Sequence, residues 1–150
     1  MDTALLLVHA LASCLLAGLI WVVQIVHYPL MAQVGASTWS TYHRLHSGRI
    51  TRIVAPLMIV ESATAFALVA AAPPALTSWM AWLGAGLAIF AWVVTFFVSV
   101  PLHERLSPRF DSSIHARLVA TNWLRTVAWS TRAVLSLWML AAVVGAGRAM

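Results

Sequence analysis

The chain has 150 residues, 62% of them hydrophobic and 9% charged, with a mean hydropathy of +0.90. A soluble domain carries roughly 25% charged residues, so this chain lacks the polar groups to cover its own apolar surface and is expected to take lipid as its solvent. The net charge of +5 comes from nine arginines and no lysine against four acidic residues; these arginines border apolar runs rather than a soluble domain, which argues against nucleic acid as a partner.

Four apolar segments of spanning length follow in chain order: Ala4 to Val26, Ile53 to Ala72, Trp79 to Val100 and Val127 to Ala146. Each is close to the ~20 residues that cross ~30 Å of hydrocarbon at 1.5 Å per residue. The first has no basic residue before it and is longer than the apolar core of a secretory signal, so it is expected to be a span. It contains the single cysteine, Cys14, which leaves no disulfide framework and no cysteine-based metal motif. The fold class predicted is therefore all-α and integral to the membrane, a single four-transmembrane-helix bundle over residues 1–150.

The connections are unequal. Pro73-Pro74-Ala75-Leu76-Thr77-Ser78 is a short turn that makes spans two and three antiparallel neighbours. Val26 to Arg52 and Pro101 to Thr126 are long and polar, and each feeds directly into the next span, so helices two and four are expected to extend beyond the hydrocarbon. Arg44, Arg49, Arg52, Arg105, Arg109, Arg117 and Arg125 flank these two connections, whereas the opposite side has only Arg148. The positive-inside rule then places both long connections in the cytoplasm and both termini outside, in a bacterial-type inner membrane. Trp79, Trp82, Trp123 and Trp129 lie near span ends, as interfacial anchors do.

A repeat runs through the chain at an offset of 72 residues: Pro29, Leu30, Ser40 and His43 recur as Pro101, Leu102, Ser112 and His115, and Thr41 falls on Ser113. It predicts two helix pairs of the same orientation related by an axis along the membrane normal. The stretch Ile25 to Arg52 holds three histidines, two tyrosines and three arginines, and is where the polar chemistry begins.

Five of six histidines, His27, His43, His46, His103 and His115, map to one side, at or just beyond the span ends. Imidazole is the commonest metal ligand and titrates near neutral pH, so such a layer is what a metal, haem or proton site requires. His43 and His46, three apart, share a helix face. The plainer alternative is that interfacial histidines hydrogen-bond headgroups, water or carbonyls. His9, alone in the first span, is expected to be a satisfied core histidine, and Tyr28 and Tyr42 either anchor at the interface or serve as hydrogen-bonding neighbours.

Glu61 sits nine residues into the second span, where an ionisable group signals a pathway, a partner or a ligand site. It lies 18 residues, five helical turns, after His43, with Pro56 as a possible kink between them. Arg132, six residues into the fourth span, is its natural counter-charge, and Asn122 falls nearly in line with His115. Gln24, Arg125 and these groups together are expected to line a polar interior. Gly84-Ala85-Gly86, followed by Ala88, offers a close-packing face for an oligomer.

The layout WVVQIVHYPL, YHRLH and RIVAPLMIVE resembles small bacterial four-helix membrane families, the nearest being the membrane-embedded, haem-associated protoporphyrinogen oxidases, over about the first half of the chain. His9 stands where that family has its first-helix histidine. A looser resemblance is to anthrone-oxygenase-like membrane proteins. The expectation from residues and resemblance is a protein that binds a transition metal (iron, copper or zinc) or haem through His27, His43, His46, His103 and His115. Glu61 would be ligand or proton acceptor, with Arg132 and Asn122 beside it, and the chemistry redox or oxygenation of a lipophilic substrate. The alternatives are a small transporter or proton pathway, and a non-catalytic subunit of a larger membrane complex, either of them compatible with a homo-oligomer.

Overall fold

The computed structural model describes residues 2–148, and the side chains of 3–147, as helices and short connections, with no strand among the described residues. Helix α1 (Asp2–Val22) passes through a π turn (Val23–His27) into α2 (Tyr28–Met31), making one rod. Helix α3 (Trp39–Ala70) is the second. Helix α4 (Ser78–Val94) passes through another π turn (Thr95–Ser99) into α5 (Val100–Leu106) to make the third, and α6 (Ser112–Arg148) is the fourth. All four are long and apolar enough to cross a membrane.

The first rod packs against α3 and α6, and so does the third, so the rods stand in a square in chain order. Two clusters fill its interior. Leu16, Ile20, Met58, Ala91 and Trp129 belong to one, and Leu6, Leu68, Met80, Leu135 and Met139 to the other. The outer face is apolar, with Leu11, Trp82, Phe97 and Val134 all more than 60% exposed. Leaving such residues in water forfeits the burial that stabilises a soluble domain.

The two long connections expected from sequence are much shorter, residues 32–38 and 107–111, because the first and third rods continue past Pro29 and Pro101. A proline has no N–H for the carbonyl four residues back, and its ring crowds that carbonyl. Both rods relieve this with a π turn. The N–H of Tyr28 donates to the Val23 carbonyl and that of Val100 to the Thr95 carbonyl, one residue further back than in an α-helix. The π turns are themselves 72 residues apart, as are the prolines, so the repeat is expressed in backbone geometry. Pro56 has no comparable effect: it is exposed, and α3 runs through it unbroken.

Helix ends at the histidine-bearing side are tied down individually. The imidazole of His115 donates from Nε2 to the Tyr28 carbonyl at 2.8 Å, and the Trp39 indole donates to the Leu106 carbonyl at 2.6 Å. Each satisfies an acceptor that the end of a helix leaves open. Asp111 caps α6, its carboxylate accepting from the Ser113 hydroxyl at 2.6 Å and from the N–H groups of Ser113 and Ile114. The Ser113 hydroxyl, with the Ile114 N–H, holds that carboxyl below its usual range.

Several sequence expectations change here. Trp129 is a core residue, 1% exposed, and not an interfacial anchor, whereas Trp79, Trp82 and Trp123 do face outward. Of the small residues expected to form a close-packing face for an oligomer, Gly84, Ala85 and Ala88 are buried and pack α4 against its own neighbours, while Gly86 is exposed. His9 is buried and hydrogen-bonded to Thr64 at 2.8 Å, a satisfied core histidine as expected. The side chain of Arg148, which entered the orientation argument, lies outside the described residues.

Candidate functional site

Four of the five expected histidines converge, from three rods. The rings of His27 and His46 stack with centroids 4.3 Å apart, His43 and His103 are 5.3 Å apart, and His46 and His103 6.1 Å. His115 does not join them. Its Nε2 is committed to the Tyr28 carbonyl and its ring lies against Phe110, so the repeat partner of His43 serves as a helix cap. The two π turns bring the cluster together, since each shifts the residues after it by one position and so re-aims Tyr28 and His103.

A hydrogen-bonded series leads inward from the cluster. His43 Nε2 is 3.1 Å from His103 Nδ1, and His103 Nε2 is 3.0 Å from the Tyr28 hydroxyl. Arg125 donates to that hydroxyl at 3.3 Å and to Asn122 Oδ1 at 3.1 Å, and Asn122 Nδ2 donates to Gln24 Oε1 at 2.7 Å. Arg125 is always a donor, which fixes the direction of its own bond to Tyr28. Tyr28 accepts from it and keeps its own O–H for a second bond; in the tautomer with His103 Nε2 unprotonated, Tyr28 donates to His103 and His103 Nδ1–H donates to His43. Tyr28 has two readings in sequence, an interfacial anchor or a hydrogen-bonding neighbour of the histidines. The second holds: it is 2% exposed and bonded to His103 and Arg125. The signal was its place next to His27 in the stretch where the polar residues begin. Tyr42 is half-buried, its hydroxyl 3.5 Å from His27 Nε2.

Two cavities meet at His103. The deeper, of 330 Å³, lies between the first three rods, with Arg125 and Trp129 of α6 also on its wall. Leu16, Ile20, Val54, Met58, Trp92 and Phe96 make it apolar, and His46, His103, Tyr28 and Arg125 form its polar part. Its rim includes exposed Thr51, Phe96 and Val100, so it opens sideways between α3 and the third rod. The second cavity, of 360 Å³, is lined by His43, Arg44, Ser47, Glu104 and Ser107 and opens at the end of the bundle. Ile50, Thr51, Val100 and His103 line both, and His103 alone among these can carry a proton.

Glu61, Arg132 and Trp129 form a separate centre. Arg132 Nε donates to Glu61 Oε1 at 2.6 Å, the Trp129 indole donates to Oε2 at 3.2 Å, and Arg132 also donates to the Gly84 carbonyl. Both charged residues are 1% exposed. The 18 residues between His43 and Glu61 amount to about 27 Å along α3, so the carboxylate does not share a ligand sphere with the histidines. Asn122 likewise serves Arg125 and Gln24, and His115 is not its neighbour in function.

Comparison with protein families, curated proteins and solved structures gives no match.

The residues that could hold a metal are His43 and His103, whose nitrogens approach as two ligands of one ion do. Among the described residues no three of His, Cys, Asp and Glu are placed to hold one together. What the arrangement offers chemically is a hydrogen-bonded series of titratable side chains that touches a polar cavity at one side and an apolar one at the other.

Proposed function

We propose that this protein is a multi-pass membrane protein that admits a lipophilic molecule from the bilayer into the 330 Å³ cavity and exchanges a proton between that molecule and water through Tyr28 and His103. The observation that carries this reading is the position of His103, on the wall of both cavities and hydrogen-bonded in series with Tyr28 and His43. Imidazole and phenol both give and take protons, and a series of them relays charge without moving heavy atoms far. The apolar outer face and the sideways opening support access from lipid. The arginines near the end-facing cavity support a cytoplasmic placement of that end.

The test uses the protein in lipid nanodiscs and a long-chain alcohol bearing a photoreactive diazirine and an alkyne tag. Labelling is expected to concentrate on peptides carrying Val54, Met58 and Phe96, and to fall when Ala55→Trp fills the cavity. In infrared pH titrations, imidazole bands that respond to the alcohol are expected to vanish in His103→Phe. Labelling spread evenly over the outer helix faces and indifferent to Ala55→Trp would overturn the reading.

A second reading, transition-metal or haem binding for redox chemistry, is favoured by one observation: the 3.1 Å between His43 Nε2 and His103 Nδ1 matches two nitrogens each about 2.1 Å from one ion. It requires His46 to turn in as a third ligand. One equivalent of iron, copper or zinc, or a Soret band, lost on His43→Ala, supports it; purified protein free of metal and haem removes it.

A further inference from the structure

We infer that the lipophilic molecule is a monocarboxylic acid, bound as its anion against Arg125; this rests on the cavity being a ligand site, as proposed above. Arg125 is 7% exposed and lines the deep cavity. A guanidinium so buried is ordinarily matched by an anion. Arg132 has Glu61, but among the described residues no carboxylate stands within salt-bridge distance of Arg125. Its neighbours are neutral: Asn122 Oδ1, the Tyr28 hydroxyl, and the Trp129 ring, whose centroid is 5.9 Å from Cζ. These contacts engage Nε and Nη2, so the Nη1 group is left without a hydrogen-bond partner among the described residues.

The chemistry of the anion is set by the surroundings of this cation. One guanidinium balances one negative charge, and its planar fork fits the two oxygens of a carboxylate. A phosphate monoester would bring close to a second charge, for which the wall holds no further arginine. His46, stacked on His27, also lines the cavity, and no hydrogen bond to another described residue occupies its ring nitrogens, so it adds a further polar group to the wall. Beyond the headgroup the walls are aliphatic and aromatic, Leu16, Met58, Trp92 and Trp129 among them, and the volume suits one chain or ring system at the small end of ligand pockets. Bound this way, the carboxylate lies beside the Tyr28–His103 series, and the proton exchanged is its own: the acid O–H bond breaks on binding, the proton passes through Tyr28, His103 and His43 to water in the end-facing cavity, and the return step takes it back by the same route. No electrons move.

The test compares, in nanodiscs holding the wild-type protein, a diazirine-alkyne fatty acid with the alcohol, methyl ester and alkyl phosphate of the same tail. The acid is expected to label the cavity peptides at least tenfold more strongly than alcohol or ester, and more strongly than the phosphate. Arg125→Gln is expected to abolish this preference while the alcohol still labels. Arg125→Lys, which keeps the charge and loses the fork, is expected to retain part of it. Equal labelling by acid and alcohol in the wild-type protein, or a preference for the phosphate, overturns the inference while leaving the cavity a ligand site. No cavity labelling by any of the four overturns both. The wild-type comparison holds even if a variant fails to fold.

Discussion

At the scale of single residues, the buried charges of this protein divide by partner. Glu61 and Arg132 neutralise each other; the Trp129 indole donates to Glu61, and Arg132 donates also to the Gly84 carbonyl. Removing one charge strands the other in an apolar interior. Glu61→Gln is therefore expected to cost about 3–5 kcal/mol, read as a lowered melting temperature in detergent. Glu61→Leu combined with Arg132→Met is expected to recover most of that loss, since an apolar pair of similar volume avoids desolvating either ion. A double variant as unstable as Glu61→Gln would give the pair a role other than neutralising charge. This pair was legible in the sequence because depth from a common side suffices to match two charges. Arg125 was legible as a residue of the polar interior, from the helix face it shares with Arg132, and it is buried there; what the sequence did not show is that its hydrogen-bond partners, Asn122 and Tyr28, are neutral.

At the scale of elements, the π turns decide which residues meet. Reverting Thr95–Ser99 to α geometry would rotate the remainder of the third rod by one residue, about 100° around the axis, carrying His103 away from His43. Pro101→Ala is the change that permits this, by supplying the missing N–H. With Cys14→Ser as background, cysteines replacing His43 and His103 are expected to cross-link on mild oxidation, and the yield is expected to drop several-fold when Pro101→Ala is added. Pro56→Ala is the control, expected to leave the yield unchanged because α3 is unbroken at that exposed proline. The sequence revealed four spans and the repeat of Pro29 and Pro101, but not that the rods run on through them. Proline reads as a stop when only α-helical hydrogen bonding is considered, and a five-residue π segment has no composition of its own. For the same reason His43 and His115, identical in the repeat, have different partners in the fold.

At the scale of the whole molecule, the square of rods has four helices long and apolar enough to cross a membrane, and the positive-inside rule, applied to the arginines at the histidine-bearing end, gives the expectation that this end is cytoplasmic. Cysteines placed at Ser37 and at Ser78, both exposed and at opposite ends of the bundle, test this in the Cys14→Ser background. An impermeant maleimide is expected to label Ser78→Cys in intact cells and Ser37→Cys only after the membrane is opened; the reverse pattern would invert the protein and place the end-facing cavity outside.

The duplicated architecture has a bearing on assembly. In the frame of the repeat, Glu61 and Arg132 differ by one position, so they are near-equivalents on opposite corners of the square. Two copies of the amino-terminal hairpin, brought together the same way, would set carboxylate against carboxylate, and two of the carboxy-terminal hairpin guanidinium against guanidinium. Only the mixed combination is electrically neutral at its centre. A fold made of two look-alike halves thereby carries its own rule for which half is acceptable as a mate.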